Sequence, residues 1–159
     1  MVANANLALV EDHEKPRLAS AASVGADVVV LKFGSSILRG PADAPLVASA
    51  CYAHVRQGRK VVAGVSAFAG ETDKLLADAR GLGLAHSNDL LPGYVALGEE
   101  RAAALVAVAC DRVGLDAAAL SVRELGVVAE GEAEHARPCG LRADHLKQAL
   151  DRHEVVVVP

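Results

Sequence analysis

Residues 28–40 read VVVLKFGSSILRG. A β-branched run ends in a lysine, Lys32, and a Gly-Ser-Ser bend follows at once. The run from Asp27 to Phe33, apolar apart from its first residue and Lys32, has strand length. It is the pattern of a strand buried on both faces of a parallel sheet. A lysine leaving such a strand is ordinarily just solvated. Its place changes that reading, because ligands of parallel α/β sheets sit beyond the carboxyl ends of the strands. Lys32 stands at that end, with Gly34, Ser35 and Ser36 behind it.

The next segment, PADAPLVASACYAHVRQG (41–58), reads as a helix. Asp43 is placed to cap it, Pro45 fits its first turn and Gly58 can stop it. Leu46, Val47, Ala50, Cys51, His54 and Val55 fall on one face, which predicts docking on a sheet. RKVVAGVS (59–66) is the second strand, so the unit is βαβ, with parallel strands and a right-handed crossover. ETDKLLADARG (71–81) begins another helix, and a longer one runs from about 89 to 113. From Ala102 to Cys110 this helix has no polar residue, which predicts burial on every side by a second layer or a partner subunit.

DAAALSV (116–122) reads as a third strand and LGVVAEGEAEHARPCG (125–140) as a turn-rich hairpin or loop. LRADHLKQALDRH (141–153) is an amphipathic helix with Leu146, Ala149 and Leu150 inward. EVVVVP (154–159) is a fourth strand, expected to leave an open edge. Residues 1–26 read as a mobile arm. The alternation predicts an α/β fold, a mostly parallel sheet with flanking helices in an αβα sandwich.

Composition narrows the function. The 159 residues suit one domain. Apolar residues make up 52% and aromatics only 3%, so the core must be built from Ala, Val and Leu. A formal charge of -4 argues against nucleic acid as a partner. Cys51, Cys110 and Cys139 never form a Cys-x-x-Cys pair and read as reduced thiols. The N-terminus lacks the pattern of a secretory signal, and no window approaches the ~18 apolar residues of a membrane span. A soluble, cytoplasmic chain is expected.

Neither standard nucleotide-binding glycine fingerprint is present. GVSAFAG (64–70) imitates a nucleophile elbow, but its second glycine comes too late after Ser66 and no triad accompanies it. Glu132, Glu134, His135 and Cys139 crowd together in EAEHARPC, an irregular spacing that reads better as a solvated hairpin than as a metal site. No metal site is expected. The stronger constellation lies at the strand ends. The second strand delivers Ser66 beside Lys32, followed by a turn at Gly70 and by Thr72 opening a helix. An ammonium, hydroxyls and helix N–H groups suit a phosphate or a carboxylate.

These residues resemble a known family. VVVLKFGSSI is similar to the opening of the amino acid kinase family, and to the Lys-Phe-Gly-Gly-Ser/Thr segment of aspartokinases. VVAGVSAFAGETDKLL resembles the aspartokinase segment Val-Ser-Ala-x-x-x-x-Thr-Asp-x-Leu. LGEERAAALVAVACDRVGLDAAAL looks like its Gly-Glu helix and the strand after it. The resemblance spans residues 28–159 and implies ATP with Mg2+ as cofactor and aspartate as substrate. It implies phosphorylation of the aspartate side-chain carboxylate, a step in the biosynthesis of aspartate-derived amino acids. Carried over, it makes Lys32 the catalytic contact to the phosphates. It gives Gly34, Ser35 and Ser36 phosphate binding, and Ser66, Thr72 and Glu99 the amino acid.

Two positions depart from the pattern. Ser35 replaces the second glycine, as in the glutamate 5-kinase branch, and Ala102 replaces a serine. The family would continue beyond residue 159 into a nucleotide-binding half, so 27–159 corresponds to the N-terminal half of such a domain. The sequence implies either that part of an aspartokinase, a type sometimes fused to homoserine dehydrogenase, or a degenerate, non-catalytic binding or oligomerisation module. A homo-oligomer or a missing C-terminal half is expected as partner.

Overall fold

The computed structural model describes residues 27–83, 90–131 and 136–159, so the arm expected at 1–26 lies outside the described residues. In chain order the elements are β1 (Val28–Phe33), α1 (Ala44–Val55), β2 (Lys60–Val65), α2 (Glu71–Gly81) and α3 (Leu90–Arg112). There follow β3 (Ala117–Ala119), α4 (Val122–Leu125), β4 (Val127–Glu130), β5 (Arg137–Leu141), α5 (Asp144–Arg152) and β6 (Val155–Val158). Four strands form one parallel sheet in the order β1-β2-β6-β3, and β4 and β5 form the antiparallel hairpin. The fold is the expected α/β sheet with flanking helices. No helix among the described residues is long and apolar enough to cross a membrane.

Alternation divides the sheet into two faces. Val61, Ala63, Val65, Val155 and Val157 point to the main core, which α1 and α3 close with Val47, Cys51, Ala103, Val106 and Cys110. Val62, Val156 and Val158 point to the other face, where Leu125 and the inner residues Leu146, Ala149 and Leu150 cover them. The second cover is small. It leaves the outer strand β1 bare on that side.

Several expectations are corrected here. The apolar run of β1 is not buried on both faces: Val28 is 52% and Val30 71% exposed, because β1 is an edge strand and the second layer stops short of it. The strand that is buried on both faces is β6, which was expected at an open edge. It lies between β2 and β3, and Val155, Val156 and Val157 have no exposed surface.

Asp43 does not cap α1. Its carboxylate accepts hydrogen bonds from the Arg39 backbone N–H at 3.0 Å and from the Arg39 guanidinium at 3.1 Å. That guanidinium holds the Asp43 carboxyl below its ordinary range. Leu46 points outward at 57% exposure, and Ala44 and Ala48 join the buried face in its place. The third strand ends at Ala119 because Ser121 starts α4 with a capping box. Its hydroxyl accepts the Glu124 N–H, and the Glu124 carboxylate accepts the Ser121 N–H.

The apolar stretch of α3 is covered on one side only. Ala102, Ala103, Val106 and Cys110 are buried, whereas Val108 is 65% exposed. Composition could not tell a two-sided helix from a one-sided one here, since alanine is tolerated equally in both settings.

The two valine-rich strands therefore differ in energetic weight. Val157→Ala removes two methyl groups from a closed site and is expected to destabilise the protein by about 2–3 kcal/mol in urea unfolding. Val30→Ala, on the bare face, is expected to cost less than about 0.5 kcal/mol. Equal costs would contradict this assignment of faces.

Candidate functional site

The carboxyl ends of β1 and β2 stand side by side. Lys32 pairs in register with Gly64, and the Ser66 N–H donates to the Phe33 carbonyl at 3.2 Å. With ordinary strand spacing and rise, this register sets the Lys32 and Ser66 Cα atoms about 8 Å apart. After β1 the chain bends through Gly34, whose carbonyl accepts the N–H groups of both Ile37 and Leu38 at 2.9 and 3.0 Å. Among the described residues, the amides of Ser35 and Ser36 find no backbone acceptor and stay available. The bend is pinned from below by Leu38, which is fully buried and whose carbonyl accepts the Ala69 N–H at 3.1 Å. The turns after the two strands are thus fastened to each other.

Between these turns and α3 lies a crevice of about 230 Å³ lined by Ser35, Ser66, Ala67, Phe68, Gly70, Thr72, Asp73 and Glu99. Four residues singled out in the sequence, Ser35, Ser66, Thr72 and Glu99, meet here. Lys32 and Gly34 stand beside the crevice without lining it, and Ser36 is exposed outside it. Lys32 is nevertheless close to this bend: a Cβ built on Gly34 would lie 3.4 Å from the Lys32 Nζ. The missing side chain keeps space free next to the ammonium.

The Ser66 Oγ is buried and has no hydrogen-bond partner. Buried polar atoms are nearly always satisfied in folded proteins, so an orphan hydroxyl at a crevice wall asks for a ligand or water. Gly70 adopts a φ of 76°, left-handed backbone that suits glycine, and it delivers the chain into α2, whose first turn carries Glu71, Thr72 and Asp73.

A second set of residues shapes this turn and was missed in the sequence. Arg101 on α3 donates to Glu71 at 2.7 Å, and its guanidinium lies over the Phe68 ring, 5.5 Å from the centroid. Glu71 keeps its other oxygen buried without a partner. Gly98 permits the close approach, since a Cβ there would meet Leu75 Cδ1 at 3.1 Å and Glu71 Cγ at 3.4 Å. No local signal links residues thirty positions apart. Asp73, which lines the crevice, was missed as well, although it directly follows Thr72 in the sequence.

Of the metal cluster weighed in the sequence, Glu132, Glu134 and His135 lie outside the described residues. Cys139 is exposed and its thiol donates to the Val128 carbonyl. Among the described residues, no group of three or more His, Cys, Asp or Glu could hold a metal ion.

Comparison with known proteins places the chain in a family and a fold. The model of the amino acid kinase family matches residues 27–159. An aspartokinase of Mycobacterium tuberculosis is 31% identical over 131 residues, covering 82% of this chain and 31% of that protein. The aspartate kinase of Synechocystis superposes with a TM-score of 0.68 at 26% identity, over 84% of this chain and 21% of that one. Aspartokinase III of E. coli, solved with aspartate and ADP, gives 0.66 at 17% identity, over 83% of this chain and 40% of that one. The chain spans about a third of the length of the curated relatives it matches.

The packing at Gly98 is open to test. Gly98→Ala is expected to stay within about 1 kcal/mol of the parent, since gained helix propensity offsets contact with a mobile leucine methyl. Gly98→Leu is expected to cost about 1–3 kcal/mol in chemical denaturation, because the larger side chain drives α2 off α3. A stable leucine variant would show that the helix approach is not set by Gly98.

Proposed function

The chain belongs to the amino acid kinase family, and on that premise we propose that it contributes the amino-acid-binding part of an aspartokinase-type phosphotransferase. The observation that carries this reading is the crevice at the strand ends, where an orphan serine hydroxyl, Thr72 and Glu99 converge beside Lys32. Residues 27–159 then act as the N-terminal half of the kinase domain.

The chemistry fits these side chains. The substrate carries two carboxylates and an ammonium. Glu99 takes the ammonium, and the Ser66 and Thr72 hydroxyls donate to carboxylate oxygens. The attacking nucleophile is the substrate's own side-chain carboxylate, so the protein needs no nucleophile. It needs positioning and charge neutralisation. Lys32 supplies the fixed positive charge, and the free amides of Ser35 and Ser36 hold phosphate oxygens in the space that Gly34 leaves open. ATP with Mg2+, when bound, supplies the transferable phosphoryl group, with the metal held chiefly by phosphates.

A non-catalytic binding module is the second reading, and Ala102 favours it. Ala102 is fully buried where the family pattern has a serine, so no polar contact to a ligand comes from that position.

Association belongs to the same proposal. Tyr94, Leu97, Arg101, Ala104 and Val108 recur along the outer side of α3 at alternating steps of three and four, the spacing of a helix seam. A second copy of the chain is its occupant. Sedimentation at micromolar concentration is expected to show a species heavier than the 16.3 kDa monomer, dissociated by Val108→Glu. A clean monomer would remove this part of the proposal.

Two measurements separate the readings of the site. Calorimetric titration with aspartate is expected to show binding, weakened about ten- to hundredfold by Glu99→Ala, the worth of a charged hydrogen bond. A coupled ADP-release assay on the 159-residue chain with aspartate is expected to show no turnover. Turnover abolished by Lys32→Ala would prove the chain sufficient for catalysis, and absence of aspartate binding would overturn the substrate assignment.

A further inference from the structure

A second groove, of about 300 Å³, lies between α4, α5 and the edge strand β3. Ala118 on its floor pairs in register with Val156, so the groove opens on the face of the sheet opposite the main core. Its lining changes from end to end. Glu124 and His145 stand at the start of α5, Arg152 and His153 at its finish, and Ala118, Leu120 and Ala149 supply apolar surface. Seven residues from His145 to Arg152 amount to about 10 Å along a helix.

The two ends have opposite hydrogen-bonding sense. His145 Nδ1 lies 2.9 Å from the Glu124 carbonyl, which only accepts, so the neutral ring keeps its hydrogen there and Nε2 bears a lone pair. The Glu124 carboxylate accepts the Ser121 N–H and hydroxyl through Oε2 alone. That end offers acceptors and a negative charge. At the other end the Asp116 carboxylate is paired with His153 Nδ1 at 2.8 Å. The Arg152 guanidinium has no hydrogen bond or ion pair among the described residues, and a guanidinium only donates. The two imidazoles do not share a metal ion, since metal–nitrogen bonds of about 2 Å cannot bridge that spacing.

We propose that this groove binds a small linear molecule with a carboxylate at one end and an ammonium at the other. The inference is independent of the kinase reading. The carboxylate accepts from the Arg152 guanidinium, and the ammonium donates to the Glu124 carboxylate and to His145 Nε2. The hydrocarbon chain between them lies over Ala118, Leu120 and Ala149, which are apolar as such a chain requires. Both ends face water, so neither ionic contact is strong alone. Discrimination comes from the distance between them: a ligand too short for the groove, or charged at one end only, satisfies half of it.

The test is an NMR titration of the 159-residue chain at neutral pH with three probes: ε-aminocaproate, caproate and hexylamine. Backbone amide shifts are expected to move at Ala118, Gln148 and Ala149. The amino acid is expected to bind about tenfold more tightly than either one-ended probe, the worth of a charged hydrogen bond. Arg152→Gln is expected to bring its affinity down to that of hexylamine, and Glu124→Gln down to that of caproate. Both variants keep the fold, since Arg152 is exposed and unpaired and glutamine serves the Ser121 capping box as glutamate does. Equal affinity for the three probes, no binding at all, or a preference that survives both substitutions would overturn the proposal. Shift changes centred on Gly70 and Thr72 instead would put the probe in the strand-end crevice and overturn it equally.

Discussion

Inserting β6 between β2 and β3 fixes most of what the rest of the structure can do. Its four valines supply both faces of the sheet at once, Val155 and Val157 to one core, Val156 and Val158 to the other. A strand with apolar side chains on both sides cannot stand at an edge without exposing half of them. Between two neighbours it also satisfies its backbone: Val61 N–H donates to the Glu154 carbonyl, and Leu120 N–H to the Val157 carbonyl, each at 2.9 Å. Once β6 takes the centre, β1 and β3 become the edges. The carboxyl end of β1 then opens beside that of β2 alone. That opening is where Lys32 and the Gly-Ser-Ser bend lie.

The order of elements was legible because it rests on period and on turn residues. The helix at 71–81 and the inner face of α5 lie where local pattern put them, since glycine and amphipathic spacing act over a few residues. Which strand is central was not legible. VVVLKF and VVVV look equally buried as text, and only the reach of the second layer separates them. That layer is one short helix with Leu120 and Leu125, and it covers Val156 but not Val30. Asp43 failed as a cap for a related reason: a stronger partner, Arg39, lay within reach on the other side.

Site residues split along the same line. Ser35, Ser66 and Thr72 were found because each sits in a turn or first helical turn directly after a strand, where sequence position already determines spatial position. Glu99 was found through its resemblance to a family motif. Arg101 and Glu71 were not found, because a salt bridge between separate helices has no local signature. Their pairing is half exposed on the arginine side, so its worth lies in geometry more than in stability. Arg101 ties the first turn of α2 to α3 while its guanidinium covers Phe68, and the residues between, Ala69 and Gly70, have little freedom left.

The crevice therefore depends on three ties, each of a different kind. A backbone bond from Ala69 to Leu38 joins the two turns, a glycine at position 98 brings two helices into contact, and an ion pair holds α2 at its start. The ties leave the Ser66 hydroxyl buried and unpaired at the wall. An orphan group costs free energy in the empty protein and returns it when a ligand accepts or donates the missing bond. A rigid frame is what makes that return possible, since a floppy turn would rotate the hydroxyl to water instead. In this fold the frame is built from elements on the main-core side of the sheet, so the side of β1 that the second layer leaves bare can stay open next to Lys32 without loosening the site.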